Sequence, residues 1–354
     1  MAKKGVLLCL ISSVLTGYAG HTFGLPLAWV LGPLIITAAF SIGGVIPYAP
    51  LAGRRVGQII IGAAIGLNVT PAVAGTVIAW LPMMIITSLI SMFVGSACAI
   101  GLARLGRIDL KTAYFCMMPG GLSEMANIGA KHGAQSEHIA LTQALRIAIV
   151  VCILPPLLVA LGLEGEFYNR TLGQDVPGQV LPLLAVAGLT GVLLVRLLRL
   201  NNPWMIGSLV GVGIVTAFGY FEGRMPREIF YGGQFLLGIS IGARFRRDVV
   251  FKLKKFTLIS SCFVVMMAGC MFAYAVVLAY IGGIDIASAA LSSSPGGFAE
   301  MAVTAEVLHL NIALVTAFHI IRAMLVNGFT TQWFGLLDKI GFFRAGGKLL
   351  AKLF

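Results

Sequence analysis

Charge is what this sequence has least of. Asp and Glu number 13 and Lys and Arg 25 in 354 residues, 11% together, while 58% of the residues are hydrophobic. Soluble domains carry about 25% charged and about 45–50% apolar residues, so a water-soluble globular protein is excluded. Apolar–polar alternation over strand-length stretches of about 10 residues is also missing, which excludes an outer-membrane barrel and leaves helices as the structure that satisfies backbone groups in lipid. The six cysteines show no CxxC or Cys/His ligand spacing, and the five histidines form no HxxxH pair. Neither a zinc site nor the metal centre of an oxygenase is legible, and no metal, cofactor or enzymatic activity is expected. The absence of GxxxxGK[ST] argues against ATP-driven pumping by this chain. No A-x-A-like cleavage site follows the apolar run after Lys3 and Lys4, so that run is expected to be a mature spanning helix.

What the chain does have is one unit written twice. Residues 109–146 align without a gap with 285–322, an offset of 176 that matches Asp109 with Asp285, Pro119-Gly120-Gly121 with Pro295-Gly296-Gly297, Glu124 with Glu300 and Arg146 with Arg322. The same offset matches Gln58, Gly62 and Gly66 with Gln234, Gly238 and Gly242, and one residue less matches Trp29 and Gly32 with Trp204 and Gly207. The organisation expected is a first membrane repeat at 1–170, an extracytoplasmic connector at 171–178, a second repeat at 179–345 and a cytoplasmic tail at 346–354.

Apolar segments fall at about 6–22, 26–47, 55–68, 72–103, 110–131 and 138–162, and again at about 180–198, 203–221, 229–243, 256–282, 286–307 and 311–336. The formal charge of +12 resides mostly in short loops, the pattern of cytoplasmic loops rather than of a nucleic-acid surface, and no nucleic-acid partner is expected. Lys3, Lys4, Arg54, Arg55, Arg104, Arg107 and Lys111 share a side with Arg196, Arg199 and the basic run 244–255 only if the fifth segment of each copy enters and leaves on one face. The Asn68-Val69-Thr70-Pro71 turn, the connector with Glu164, Glu166 and Asp175 against Arg170, and the 222–228 loop then lie outside. An odd number of crossings inverts the second copy. The fold expected is an all-α polytopic membrane protein of two inverted repeats, with about ten spanning helices and two broken or re-entrant PGG hairpins. It is placed in the bacterial inner membrane with both termini cytoplasmic.

The hairpins carry the chemistry. Pro119 cannot continue a helix, and Gly120 and Gly121 tolerate sharp bends, so the fifth segment reads as a helix that stops within the apolar layer and restarts at about Leu122. Pro295, Gly296 and Gly297 repeat the device. The N–H groups of each restarting half-helix favour an anion. Glu124 and Glu300 stand in that first turn beside residues such as Ser123, where a carboxylate either caps its own helix or, as an intramembrane charge, serves a polar pathway. Arg146 and Arg322, deep in the sixth segments, are their natural partners, with His138 and Thr142 on the stripe of Arg146 and His319 three residues before Arg322. Such pairs either hold hairpin to helix or divide the work, the arginine forking an anionic solute while the glutamate takes a proton or cation. Gln58, Gly62 and Gly66, with Gln234, Gly238 and Gly242, read as helix-packing stripes.

With its PGG segments and duplication, the chain resembles the AbrB-type membrane protein family of bacteria, over nearly its whole length and on Ser293-Ser294-Pro295-Gly296-Gly297-Phe298-Ala299-Glu300-Met301 in particular. In the first copy Met117-Met118 replaces the Ser-Ser. The resemblance implies family names such as regulator of gene expression or ammonia monooxygenase, and kinship with antiporter and symporter folds built from inverted repeats and broken helices. The soluble AbrB DNA-binding factors are small β proteins and are unrelated. The reading that unites these features is secondary transport of a small, anionic solute, coupled to a proton or Na⁺, with the lipid bilayer as partner and room for a homodimer. The rival is a membrane-embedded regulator acting through partners.

Overall fold

The computed structural model describes residues 2–69, 75, 79–163, 165, 175–198, 202–220 and 223–353. Thr70, Pro71, Glu164, Glu166, Arg170, Arg199 and Glu222, which carry part of the topology read from the sequence, lie outside the described residues. Among the described residues every regular element is a helix. In chain order they are α1 (Ala2–Thr22), α2 (Ala28–Ile42), α3 (Leu51–Gly66), α4 (Leu81–Gly106), α5 (Leu110–Met117), α6 (Leu122–Lys131), α7 (Ser136–Ala160) and α8 (Leu181–Leu197). There follow α9 (Pro203–Ala217), α10 (Arg227–Gly242), α11 (Arg247–Lys252), α12 (Lys254–Gly282), α13 (Ile286–Ser293), α14 (Phe298–Val307), α15 (Ile312–Lys339) and α16 (Phe342–Leu353).

Five of them, α1, α4, α7, α12 and α15, are long and apolar enough to cross a membrane. Helices α2, α8 and α9 are apolar but have 15–17 residues; at a 1.5 Å rise they reach about 22–26 Å, short of a hydrocarbon core of about 30 Å. Punctuation residues set these lengths. Gly43 and Gly44 close α2, Pro203 opens α9, and the residues before α2 and α9, Leu27 and Asn202, both take the left-handed conformation, with φ of 54° and 50°. The 244–255 run contains a further short helix, α11, and the expected tail continues as α16.

The chain forms two compact units, and each draws on both sequence copies. The first takes residues 1–80, 152–244 and 298–316, the second 81–151, 245–297 and 317–354. In the first unit α1 packs on α2 and α8 on α9, α3 packs on α9, α10 packs on α2, and α3 meets α10. The third helix of each copy therefore lies on the second helix of the other. In lipid such contacts depend on close backbone approach by small residues rather than on hydrophobic drive. A Cβ on Gly66 would meet Leu209 O at 2.8 Å and one on Gly242 would meet Leu34 O at 2.6 Å, while Gly62 abuts Met205 and Gly238 abuts Val30. Gln58 donates from Nε2 to Asn202 Oδ1 at 2.9 Å, and Gln234 is buried. Trp29 stacks on Tyr231 at 5.9 Å, and Trp204 lies under the guanidinium of Arg55 at 4.8 Å.

The second unit is built on α4 and α12, which pack together and are joined by a hydrogen bond of 2.9 Å between Thr87 and Tyr274. Helices α5 and α13 begin alike. Asp109 Oδ1 accepts from Thr112 N at 2.8 Å and Asp285 Oδ1 from Ser288 N at 2.6 Å, each satisfying an otherwise orphaned first-turn amide. Tyr114 donates its hydroxyl to Thr330 O at 2.7 Å, and Phe343 of α16 closes this aromatic cluster against Phe334 at 5.1 Å.

Gly66→Ala and Gly242→Ala are each expected to lose about 1–3 kcal/mol of stability, the usual cost of overpacking. In α12, a Cβ on Gly269 meets nothing within 4 Å, and Gly269→Ala is expected to keep or raise stability. Melting temperatures in detergent check the contrast.

Candidate functional site

Each PGG sequence breaks its helix for the same physical reason. A residue that precedes proline is pushed out of the α region, and Met118 (φ −64°, ψ 128°) and Ser294 (φ −57°, ψ 143°) are both extended. Helices α5 and α13 therefore end in the buried interior of the second unit, with carbonyls that have no partner in the next turn. An unsatisfied backbone group at such depth costs several kcal/mol.

Side chains from α7 and α15 close these ends. Arg146 donates from Nη1 to Met118 O and from Nη2 to Gly120 O, both at 2.9 Å. Arg322 donates from Nη1 to Ser294 O and from Nη2 to Gly296 O, the latter at 3.0 Å. The acceptors, like the arginines, differ by the offset at which the sequence aligns. One turn earlier, Gln143 donates from Nε2 to the carbonyls of Phe115, Cys116 and Met118 at 2.9–3.2 Å, and His319 Nε2 is 2.9 Å from Leu291 O. His319 Nδ1 lies 2.8 Å from Arg322 Nη2. A guanidinium can only donate, so Nδ1 accepts, Nε2 carries the proton that goes to Leu291 O, and the ring is neutral.

The expected pairing of Arg322 with a carboxylate is thus replaced by pairing with carbonyls. Charge suggested glutamate, but a helix C-terminus carries roughly half a negative charge, and it stands within reach of the fork. Arg322 also keeps a buried Nε that meets no acceptor among the described residues. The guanidinium groups of Arg146 and Arg322 stand close enough for their charges to act on each other.

The amide end of the first break is occupied differently. Helix α6 has Gly121 as its N-cap with no side-chain bond, and a Cβ on Gly121 would collide with the Glu124 carboxylate. The half-buried carboxylate therefore folds back over the N-terminus of its own half-helix, where the sequence placed an anion. Ser123 beside it is exposed, and Pro119 and Gly120 are buried. At the second break Pro295 and Gly296 are buried and Gly296 N reaches Ser294 Oγ at 3.4 Å; in the first copy, where Met118 replaces the serine, Gly120 N turns to Met118 O at 2.8 Å. Glu300 is buried, belongs to the first unit, and its main-chain oxygen accepts from Thr304 Oγ1 at 2.7 Å. Gln58, Gly62, Gly66, Gln234, Gly238 and Gly242 also lie in the first unit. His138 is remote from the Arg146 fork, its ring edge-on to Phe256 at 4.6 Å. Gln143 is the residue that sequence reasoning missed, although the offset already aligns it with His319.

Beyond the geometry, the family model described as "Transition state regulatory protein AbrB" matches residues 49–338. The chain is 24% identical over 358 residues to the "Uncharacterized protein YhjN" of Bacillus subtilis (strain 168), covering 92% of this chain and 91% of the relative. It is 26% identical over 326 residues to the "Putative regulator AbrB" of Escherichia coli (strain K12), covering 89% and 91%.

Arg146→Lys and Arg322→Lys each replace a two-pronged donor by a single point donor and strand a buried carbonyl. Each is expected to lower stability by about 1–3 kcal/mol, as measured by thermal unfolding in detergent. An unchanged melting temperature in both would mean that the forks do not hold the breaks.

Proposed function

The chain belongs to the AbrB family, and from that premise we propose that it is an ion-coupled secondary transporter of a small, anionic solute. It works by alternating access in the bacterial inner membrane, with its two copies inverted and both termini cytoplasmic. The observation that carries this reading is the doubled break. A helix interrupted at membrane depth, closed at its carbonyl end by an arginine and carrying a glutamate in the first turn of the half-helix that follows, is the device by which secondary transporters build a midplane site. Reciprocal packing of α3 on α9 and α10 on α2 supports a two-fold relation between the copies.

The chemistry follows from what each group can still do. His319, held neutral between a carbonyl and a guanidinium, is not a proton carrier. The arginine forks are spent on carbonyls and supply a fixed positive field, with Arg322 Nε as a spare donor to a solute. Glu124 is the mobile charge. Ionised, it occupies the amide end of α6 and repels an anion; neutralised by a proton or Na⁺, it yields that end to the solute. Solute and coupling cation then load together, with Glu300 as the counterpart of Glu124. The regulator reading is favoured by names alone, those of the matching family model and of the Escherichia coli relative.

In proteoliposomes screened with small carboxylates and inorganic anions, the native chain is expected to give a pH- or Na⁺-dependent flux. Glu124→Gln and Glu300→Gln should lower it at least tenfold while melting temperature barely moves, since an end-of-helix charge contributes roughly 0.3–1 kcal/mol. Undiminished flux in both variants would remove the carboxylates from the mechanism, and absence of flux from the native chain across the screen would favour the regulator.

The inverted topology makes its own forecast. A single cysteine at position 248 is expected to resist a membrane-impermeant maleimide added to right-side-out vesicles and to react once the membrane is opened. Labelling from outside would show parallel copies.

A further inference from the structure

At the basic end of the second unit, between the C-terminus of α4 and the N-termini of α7 and α12, lies an open-mouthed cavity of about 590 Å³. That size falls within the roughly 300–1,000 Å³ of small-molecule clefts. Four cationic side chains, Arg107, Lys252, Lys254 and Lys255, line it, and no carboxylate is among its lining residues. Part of this charge is already answered. Lys252 pairs with Glu137 at 3.0 Å, and Lys254 Nζ stands 4.7 Å over the ring of Phe251. Among the described residues Arg107 and Lys255 make no ion pair. Like charges gathered within a Debye length of about 8–10 Å repel unless a counter-charge lies among them.

Backbone adds to the positive field. Leu253, the N-cap of α12, makes no side-chain cap bond, and it lines the cavity together with Lys254 and Lys255 of the first turn. The uncapped N-terminus of a 29-residue helix thus stands in the wall, and such an end favours an anion held by backbone N–H groups. His138 also lines the cavity, and its Nδ1 is enclosed with no hydrogen-bond partner among the described residues. Arg107 sits there in the left-handed conformation, φ 53°, just past the end of α4. Gln135 adds a polar amide, and Leu105, Ile108, Phe256 and Ile259 form an apolar side, so the cavity offers a cationic clamp beside a greasy wall.

We propose that this cavity binds a phosphate group carried on a larger body, either a free phosphate compound or the headgroup of an anionic phospholipid. Arg107 and Lys255 clamp the phosphate oxygens, the α12 N-terminus faces them, and the apolar wall takes the attached body. The site is separate from both helix breaks and does not depend on transport.

Calorimetric titration of the full-length chain in non-ionic detergent tests it in two arms, one with inorganic pyrophosphate and one with short-chain phosphatidylglycerol against phosphatidylcholine of the same chain length. Three proteins are compared: native, Lys254→Gln/Lys255→Gln, and Lys339→Gln/Lys348→Gln, which removes the same charge elsewhere. Saturable binding of about one equivalent, weakened at least tenfold in the first double variant and unchanged in the second, is the expected result. Its appearance with pyrophosphate identifies a free phosphate compound, and its appearance with phosphatidylglycerol alone identifies the lipid. Equal weakening in both double variants would reduce the effect to diffuse surface charge and overturn the proposal, as would the absence of saturable binding from both arms.

Discussion

The structure depends on closing the carbonyl end of a helix that stops inside an apolar protein. A proline–glycine break frees several carbonyls at once, and no water reaches them in lipid. Arg146 and Arg322 answer with a planar fork that spans two oxygens two residues apart, on Met118 and Gly120 or on Ser294 and Gly296. Lysine would reach one. Gln143 and His319, one turn earlier, reach the last helical turn itself. The charge of the arginine also opposes the negative end of the half-helix dipole, so a group that would be costly to bury alone is buried against its complement.

The first unit is organised by a different constraint, the need for backbones to touch. Glycines on α3 and α10 admit the carbonyls of α9 and α2 at distances that a methyl group would not allow. Because each copy lends its third helix to the second helix of the other, neither half of the sequence completes this unit alone. The two constraints are complementary. Close glycine packing gives a rigid frame, and the closed breaks give polar groups at fixed places within the other unit.

Much of this was legible in the sequence, and for identifiable reasons. Proline and glycine act locally, so the breaks after Met117 and Ser293 could be placed to within a residue or two. The offset of 176 made weak motifs mutually supporting. The sequence locates the arginines but not the carbonyls of Met118, Gly120, Ser294 and Gly296 among their acceptors, because it displays formal charges and hides the partial charges of a helix end. Gln143 went unnoticed since an amide carries no charge to draw attention. The partner of Gln58 was also hidden: Asn202 lies far away in the chain, and only the fold brings them together. Span length was the least legible quantity. The apolar runs at 26–47 and 203–221 continue past the ends of α2 and α9, so composition overstates what each helix covers, and α16 joins the expected tail at 346–354 to the end of the second repeat.

The pairing of Gln143 with His319 has a consequence for how the two copies can diverge. An amide closes its carbonyls at any pH, whereas an imidazole does so only in one protonation state: a proton on Nδ1 would set two cations against each other and release the fork of Arg322. The two latches therefore differ in kind: an uncharged amide that needs no particular tautomer, and an imidazole that closes its carbonyl and supports the Arg322 fork only as the neutral Nε2–H tautomer. Two sites matched in sequence are thus closed by different chemistry, so a change that loosens one leaves the closure of the other untouched.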